Sequence, residues 1–486
     1  MQRLLPAADF DAFAAGKVPW EKTSHCADIW PRRELIGGLV ESTRLFACVS
    51  GDFVETPLPR LAHLRSVALF CVACLVGSTS PTFAQSRAPL GADIKGLQVQ
   101  MIDDALALGI KHAALNVSLT AMIDLDGRPD SFRWQSGGRT YFLSRAAVEG
   151  IPVRPLSSAG VRVYLILLST VTSDPRLSKI VRPAASREAP NGITGFNVVD
   201  PEGRRYFEAC VEFLADRFSR KDEQFGRVVG YIVGNELNSH YEWYNIGPAT
   251  TQQVAAQYLQ AVRSAHAAVR RFSRDARVYI SMEHHWTWRN GKDPLRACPG
   301  KDLLDELNRL SKAGGDFDWH LDFHPYPENL RDPRTWLDKS AQPRADTPKI
   351  TFRNLEQLTK YLRRPELLCH GQPRRVILSE EGFDTPATPD GQTLQAAGYC
   401  YSWVKAASLD GIDAFILNRH VDNAQEGGLN LGLWTRQPGS IGTPAAKKRI
   451  YEVFRAAGTP EWESAFRFAL PVIGIKSWDE VTAGSR

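Results

Sequence analysis

The sequence predicts an α/β fold: one catalytic domain built as a closed (β/α)8 TIM barrel. Three observations carry that prediction. Between residues 92 and 457, eight short apolar runs alternate with segments of helical spacing. Such alternation implies a parallel sheet, and eight units in one run favour a closed barrel over an open doubly wound sheet. No GxGxxG pattern follows the first strand, which counts against a dinucleotide-binding fold. Finally, the fourth and seventh strands each end on a glutamate close to a glycine. Barrel enzymes keep their chemistry just past the carboxyl ends of their strands.

Taken in order, the expected strands are residues 94–99, 111–119, 160–169, 228–233, 277–282, 317–326, 375–380 and 412–418. Each is short, and most are rich in Val, Ile, Leu, Tyr or Phe. A buried parallel strand reads as such a near-continuous apolar run. The clearest is Gly160–Ser169. The intervening helices are expected over 100–108, 204–218, 252–272, 301–312, 352–362, 393–407 and 445–457, with a further helical segment over Tyr141–Val148. The stretch between Thr170 and Pro201 reads as a long polar loop.

The 486 residues are 43% hydrophobic and 23% charged, an ordinary globular balance. The net charge of +5 is spread along the chain, which argues against nucleic acid as a partner. Residues 1–58 carry no sustained period. A basic run, Arg60–Arg65, then leads into an apolar segment from Val67 to Gly77 and a small-residue ending at Ala84. That order is the pattern of a secretory signal peptide, and the apolar run is too short to cross a bilayer as a helix. The expectation is therefore a mis-assigned leader over 1–58, a signal peptide over 59–84 and a catalytic domain over 85–486. Translation would start near residues 54–64. The mature protein would be secreted or periplasmic, with no membrane attachment after cleavage. Its four cysteines, Cys210, Cys298, Cys369 and Cys400, show no CxxC spacing, so a zinc ribbon is excluded. Export would permit disulfides among them, in any of three pairings.

The chemistry is expected where the strands stop. The run Val228–Val233 breaks into Gly234-Asn235-Glu236 and then into Asn238, His240, Tyr241, Trp243 and Tyr244. The run Val376–Leu378 breaks into Ser379-Glu380-Glu381-Gly382. Glycoside hydrolysis needs two carboxyl groups flanking the scissile bond, one as acid and one as nucleophile or base. Strand alternation sends Glu380 and Glu381 to opposite faces, so only one of them can face the cleft. The sixth strand adds His324 and Tyr326, two residues apart and therefore on one face.

These motifs resemble the retaining glycoside hydrolases of clan A. The resemblance implies that Glu236, after Asn235, is the acid/base. It implies that Glu380, two before Gly382, is the nucleophile. Asn235 would bond the sugar 2-hydroxyl, and Tyr326 of the His-x-Tyr pair would hold the nucleophile. The longer string Gly234–Asn245 also resembles an uncharacterised bacterial family placed near these hydrolases, which implies no substrate. The sequence departs from the clan at the end of the eighth strand. There Asn418-Arg419-His420 stands where the family often has Trp. Further substrate contacts are expected from residues at or near strand ends: His240, Trp243, His284, His285, Trp286, Asn418, His420 and Trp434. Sugar rings pack their C–H faces on aromatic rings, although ordinary packing explains any single aromatic equally well.

The expected function is hydrolysis of O-glycosidic bonds in an oligo- or polysaccharide by double displacement, with no metal or organic cofactor. Two other classes fit parts of the pattern. A carbohydrate-binding barrel without catalysis would keep the aromatics but would not need both glutamates. A metal-dependent hydrolase could use His320, Asp322 and His324, with His284 and His285 as further ligands. The sequence names neither the sugar, the linkage nor the number of subunits.

Overall fold

The computed structural model describes residues 90–181 and 188–483. The expected leader and signal peptide lie outside the described residues. The barrel strands are β1 (Lys95–Gln98), β2 (His112–Ser118), β3 (Arg162–Thr170), β4 (Val228–Val233), β5 (Arg277–Glu283), β6 (Trp319–His324), β7 (Val376–Glu381) and β8 (Ile412–Leu417). Each pairs in parallel with the next. β8 returns to pair with β1. The sheet is thus a closed (β/α)8 barrel with no free edge.

The helices that follow the strands are α1 (Ile102–Ala107), α2 (Val153–Ser157), α3 (Pro201–Arg217), α4 (Thr251–Phe272), α5 (Gly300–Ala313), α6 (Glu356–Leu362), α7 (Gly391–Ala407) and α8 (Arg449–Ala456). Local chemistry fixes their starts. Asp200 caps α3 ahead of Pro201, its carboxylate accepting from the backbone of Glu202 and Gly203. Thr250 and Gln253 form a reciprocal capping box on α4. The apolar stripe of α4, with Val254, Tyr258, Val262, Ala265 and Val269, is buried against the barrel. No helix among the described residues is long and apolar enough to cross a membrane.

Strand period separates two cores. Tyr231 and Val233 of β4 face the helices, while Ile232 joins an inner layer with Ala114, Tyr164, Ile166, Tyr279, Ile377, Ala414 and Ile416. Gly230 belongs to that inner face. A Cβ there would stand 2.6 Å from the Tyr164 ring and 2.8 Å from Tyr279. The two rings meet edge to face at 5.9 Å in the space the glycine leaves.

At the amino-terminal end of the barrel, Arg374 is 2% exposed. Its guanidinium lies 3.5 Å from the centre of the Trp319 ring. It donates to the carbonyls of Leu367, Phe317 and Trp319 and to Asp316. A cavity of about 580 Å³ opens beside it, lined by Arg277, Asp318, His320, Arg363, Arg375 and Asp410 among others. Its arginines are already paired: Arg277 and Arg375 with Asp413, Arg363 with Asp410, and Arg374 with Asp316.

Two segments differ from the sequence expectation. The stretch Tyr141–Val148 is not one helix. Arg139–Leu143 pairs antiparallel with Phe132–Ser136 across Gly137-Gly138, and a helix begins only at Arg145. Both glycines have positive φ, as a tight hairpin turn requires. The hairpin is anchored by Phe132 and Trp134 packing on Phe213 of α3. The helix expected over 445–457 begins at Arg449, because Pro444–Lys447 forms a small antiparallel ladder with Trp434–Arg436. The four cysteines are all buried and free, so none of the three pairings is formed.

Candidate active site

β4 runs out into Gly234, whose φ is +78° and whose Cβ would meet the Tyr244 ring at 2.6 Å. Glu236 follows with φ 40° and ψ 57°. That left-handed conformation costs a non-glycine residue roughly 1–3 kcal/mol and persists only where its surroundings impose it. The surroundings here are specific. The Glu236 amide donates to Ser281 Oγ at 3.1 Å. The Glu236 carbonyl accepts from Ser239 N at 2.8 Å. Asn238, fully buried, clamps the turn to the end of β5. Its Nδ2 reaches Glu283 Oε1 at 2.6 Å and its Oδ1 accepts from the Glu283 amide at 2.9 Å. Ser239 Oγ adds a 3.0 Å bond to the same carboxylate oxygen.

This scaffold sets the Glu236 carboxylate at the carboxyl end of the barrel, 2.9 Å from His324 Nδ1. Across the opening, Glu380 leaves β7 beside a bulge between Leu378 and Glu381. Glu380 Oε1 accepts from the Tyr326 hydroxyl at 3.2 Å. The same hydroxyl accepts from Asn418 Nδ2 at 2.9 Å. One oxygen of Glu236, one of Glu380 and a ring nitrogen of His324 all lie within 4.8 Å of one another. Glu236, Glu380, His324, Tyr326 and Asn418 are therefore brought together from β4, β6, β7 and β8.

The two carboxylates sit in different environments. Burial raises the Glu236 carboxyl to about 7; His324 works against the rise, and Glu380 and Glu283 add to it. Glu380 remains partly exposed to the opening. Glu381 pairs in register with Leu417, an outward-facing residue, and is fully buried. Neither of its oxygens has a hydrogen-bond partner, and burial holds its carboxyl well above the usual range.

Asn235 is buried beside Glu236, at 9% exposure. Trp243 is half-buried in the short helix His240–Trp243. His284 and His285 follow β5 and stack on each other at 4.5 Å. His284 Nε2 accepts from the Lys349 ammonium at 3.1 Å, and His285 Nδ1 donates to Glu283 Oε2 at 2.7 Å. Trp434 is half-buried and donates from Nε1 to Asp104 at 3.0 Å.

Three expected contacts are corrected. His240 is fully buried with Nε2 on the Leu295 carbonyl. Trp286 is 1% exposed, its Nε1 bonded to the Ala345 carbonyl and its ring against the edge of Tyr361. His420 uses both nitrogens inside the fold: Nδ1 accepts from the Gln100 and Met101 amides, and Nε2 bonds Asp104. These three hold loops in place and face no opening.

The metal alternative also changes. His320 sits at the far end of β6, bonded to the Arg375 amide and paired with Asp318. It does not converge with Asp322 and His324 on one point. Glu283, His284 and His285 do converge. There, however, Glu283 already accepts from Asn238, Ser239 and both the amide and ring of His285.

Sequence reasoning missed several supports. Ser281 and Glu283 hold the Glu236 turn together with Asn238, and no local pattern marks the first two. Arg419 pairs with Glu426. Glu426 is close enough to Glu380 for the two charges to interact, and its carboxyl is raised, mainly by burial. This ion pair occupies the region where the clan often has its tryptophan.

A model of a family of unknown function, DUF5722, matches residues 87–481. No curated protein matches the sequence. Similar solved structures are glycoside hydrolases. One is a family 39 glycoside hydrolase from Bacteroides cellulosilyticus, 12% identical with a TM-score of 0.48; the match covers 74% of this chain and 60% of that one. Another is the β-glucosidase of Pyrococcus furiosus, 14% identical with a TM-score of 0.46, covering 76% and 86%. A third is a β-xylosidase from Caulobacter crescentus, 15% identical with a TM-score of 0.45, covering 76% and 68%. The chain thus spans less than two thirds of the length of the family 39 enzyme.

Proposed function

The chain belongs to DUF5722, a family of unknown function, and from its own geometry we propose that it is a retaining glycoside hydrolase acting on an oligo- or polysaccharide. One observation carries the reading. Two strand-end glutamates present oxygens within 4.8 Å of each other. Carboxyl groups that face each other at close range suit a retaining enzyme, which holds them about 5–5.5 Å apart.

The roles follow from the environments. Glu380, held by Tyr326, attacks the anomeric carbon. The glycosidic C–O bond breaks with its electrons on the departing oxygen, which takes the Glu236 proton. A carboxyl raised to about 7 is suited to hold that proton near neutrality. In the second half, Glu236 as carboxylate takes a proton from water, and the water displaces Glu380 from the sugar. Asn235 bonds the 2-hydroxyl, and Trp243 and Trp434 offer aromatic surface to neighbouring sugar units. The substrate is reached outside the cytoplasm if the expected signal peptide is used.

A hydrolysis screen over a glycan library, run on native protein and on Glu380→Ala, tests the reading. Release of sugar by the native chain and its loss in the variant is the expected result. Equal release by both proteins would sink it.

A further inference from the structure

His324 is the ring that joins two buried carboxylates. It is 1% exposed. Its Nδ1 lies 2.9 Å from Glu236 Oε1, and its Nε2 lies 3.1 Å from Asp322 Oδ2 and 3.3 Å from Ser379 Oγ. Asp322 sits two residues earlier on the same face of β6 and has no exposure. Its second oxygen, Oδ1, has no hydrogen-bond partner. Buried carboxylates are normally paired with a charged donor. Among the described residues, His324 is the donor in contact with it.

We propose that Asp322 is a positioning residue for the acid/base. By holding His324 as a doubly protonated imidazolium, it keeps Glu236 Oε1 occupied as an acceptor and leaves the transferable proton on Oε2. The inference rests on reading Glu236 as the proton donor.

Counting protons distinguishes the two forms of the ring. A neutral imidazole has one donor and one acceptor nitrogen. With its proton on Nε2 facing Asp322, Nδ1 would be a bare lone pair. A protonated Glu236 would then donate to the ring and point its proton away from the leaving group. An imidazolium has two donors, so Oε1 can only accept and the acid proton must sit on Oε2. The titratable groups around the ring are Asp322 of β6, Glu236 after β4 and Glu380 of β7, with Glu381 and His284 also close enough to interact. Burial works against the charge on the ring. The carboxylates outweigh it and hold His324 well above its ordinary range. Through the reaction, the Oε2 proton leaves with the departing oxygen and is replaced from the attacking water. His324 keeps both of its protons throughout.

The test uses the full chain labelled with 15N-histidine, with the His324 signals assigned by their loss in His324→Gln. At pH 7 the native protein is expected to show both His324 nitrogens protonated. Asp322→Asn should release one of those protons, and Asp322→Glu should restore it. On a panel of methyl and 2,4-dinitrophenyl glycosides, Asp322→Asn should lose roughly 100-fold on the methyl compounds, whose leaving group needs the acid. It should lose far less on the dinitrophenyl compounds. A neutral His324 in the native protein at pH 7, or an imidazolium that survives in Asp322→Asn, overturns the proposal. If the NMR result holds while the native chain hydrolyses no glycoside, the hydrogen-bond assignment stands and the glycosidase reading fails.

Discussion

The Tyr326 hydroxyl stands 3.2 Å from Glu380 Oε1 and donates its proton to it. Because that hydroxyl also accepts from Asn418, its direction is fixed before any substrate arrives. Tyr326→Phe should therefore lower kcat by roughly 10- to 100-fold, about 1–3 kcal/mol, with little change in thermal stability. An unchanged kcat would show that the phenol does not orient the nucleophile.

The two glutamates are separated by what each loses. Glu380→Ala should fall by several orders of magnitude on every substrate. Azide seated in the vacated space should then give a product of inverted configuration. Glu236→Ala should keep much of its first step on activated aryl glycosides, accumulate a glycosyl-enzyme and yield a retained azide product. Proton NMR of the product anomers reads both. An inverted azide from Glu236→Ala would exchange the roles.

The raised Glu236 carboxyl has consequences for pH. Activity that needs its proton should decline above about pH 7. Removing the like charge in Glu380→Gln should shift Glu236 downwards, which infrared difference titration can follow in that inactive variant. A folded-state value above the unfolded one, ~4.3, makes a contribution to stability that is fully present below the unfolded value. That contribution is lost as pH rises through 7. Glu236→Gln should therefore gain stability relative to the native chain between pH 5 and 8. A urea midpoint difference that stays flat across that range would contradict the assignment.

Arg374 supports the opposite end of the barrel. Replacing it by Ala would leave the carbonyls of Leu367, Phe317 and Trp319 without this donor and the Trp319 ring uncovered, while Asp316 keeps Lys312. The expected cost is about 2–4 kcal/mol in urea unfolding. The 15N signals of His324, at the other end of the strands, should be unaffected in whatever fraction remains folded. A loss below ~1 kcal/mol would mean that the guanidinium is dispensable.

Much of the fold was legible because parallel barrel strands are buried on both faces and leave short apolar runs. All eight expected strands are present, with shifts of a few residues at their ends. His324 and Tyr326 could be paired from sequence because one ends β6 and the other follows just past it. His240, Trp286 and His420 could not be separated from such residues. A polar or aromatic group just past a strand reads alike whether it meets solvent, a carbonyl or another ring. His240 meets the Leu295 carbonyl and His420 meets two backbone amides, and these partners come from distant parts of the chain. Asp322 was visible on the right face, but only as a member of the alternative metal set with His320. The actual spacing along β6 puts His320 at the far end of the barrel.

Asn238 and Ser239 fasten the Glu236 turn to a carboxylate that belongs to the next strand, and His285 donates to that same carboxylate from both its amide and its ring. The loops after β4 and β5 are in this sense a single heritable module. Neither can drift or be transplanted alone, because each supplies the donors or the acceptor that the other lacks. Anyone grafting this acid-bearing turn onto another barrel must carry Glu283 and His285 along with it.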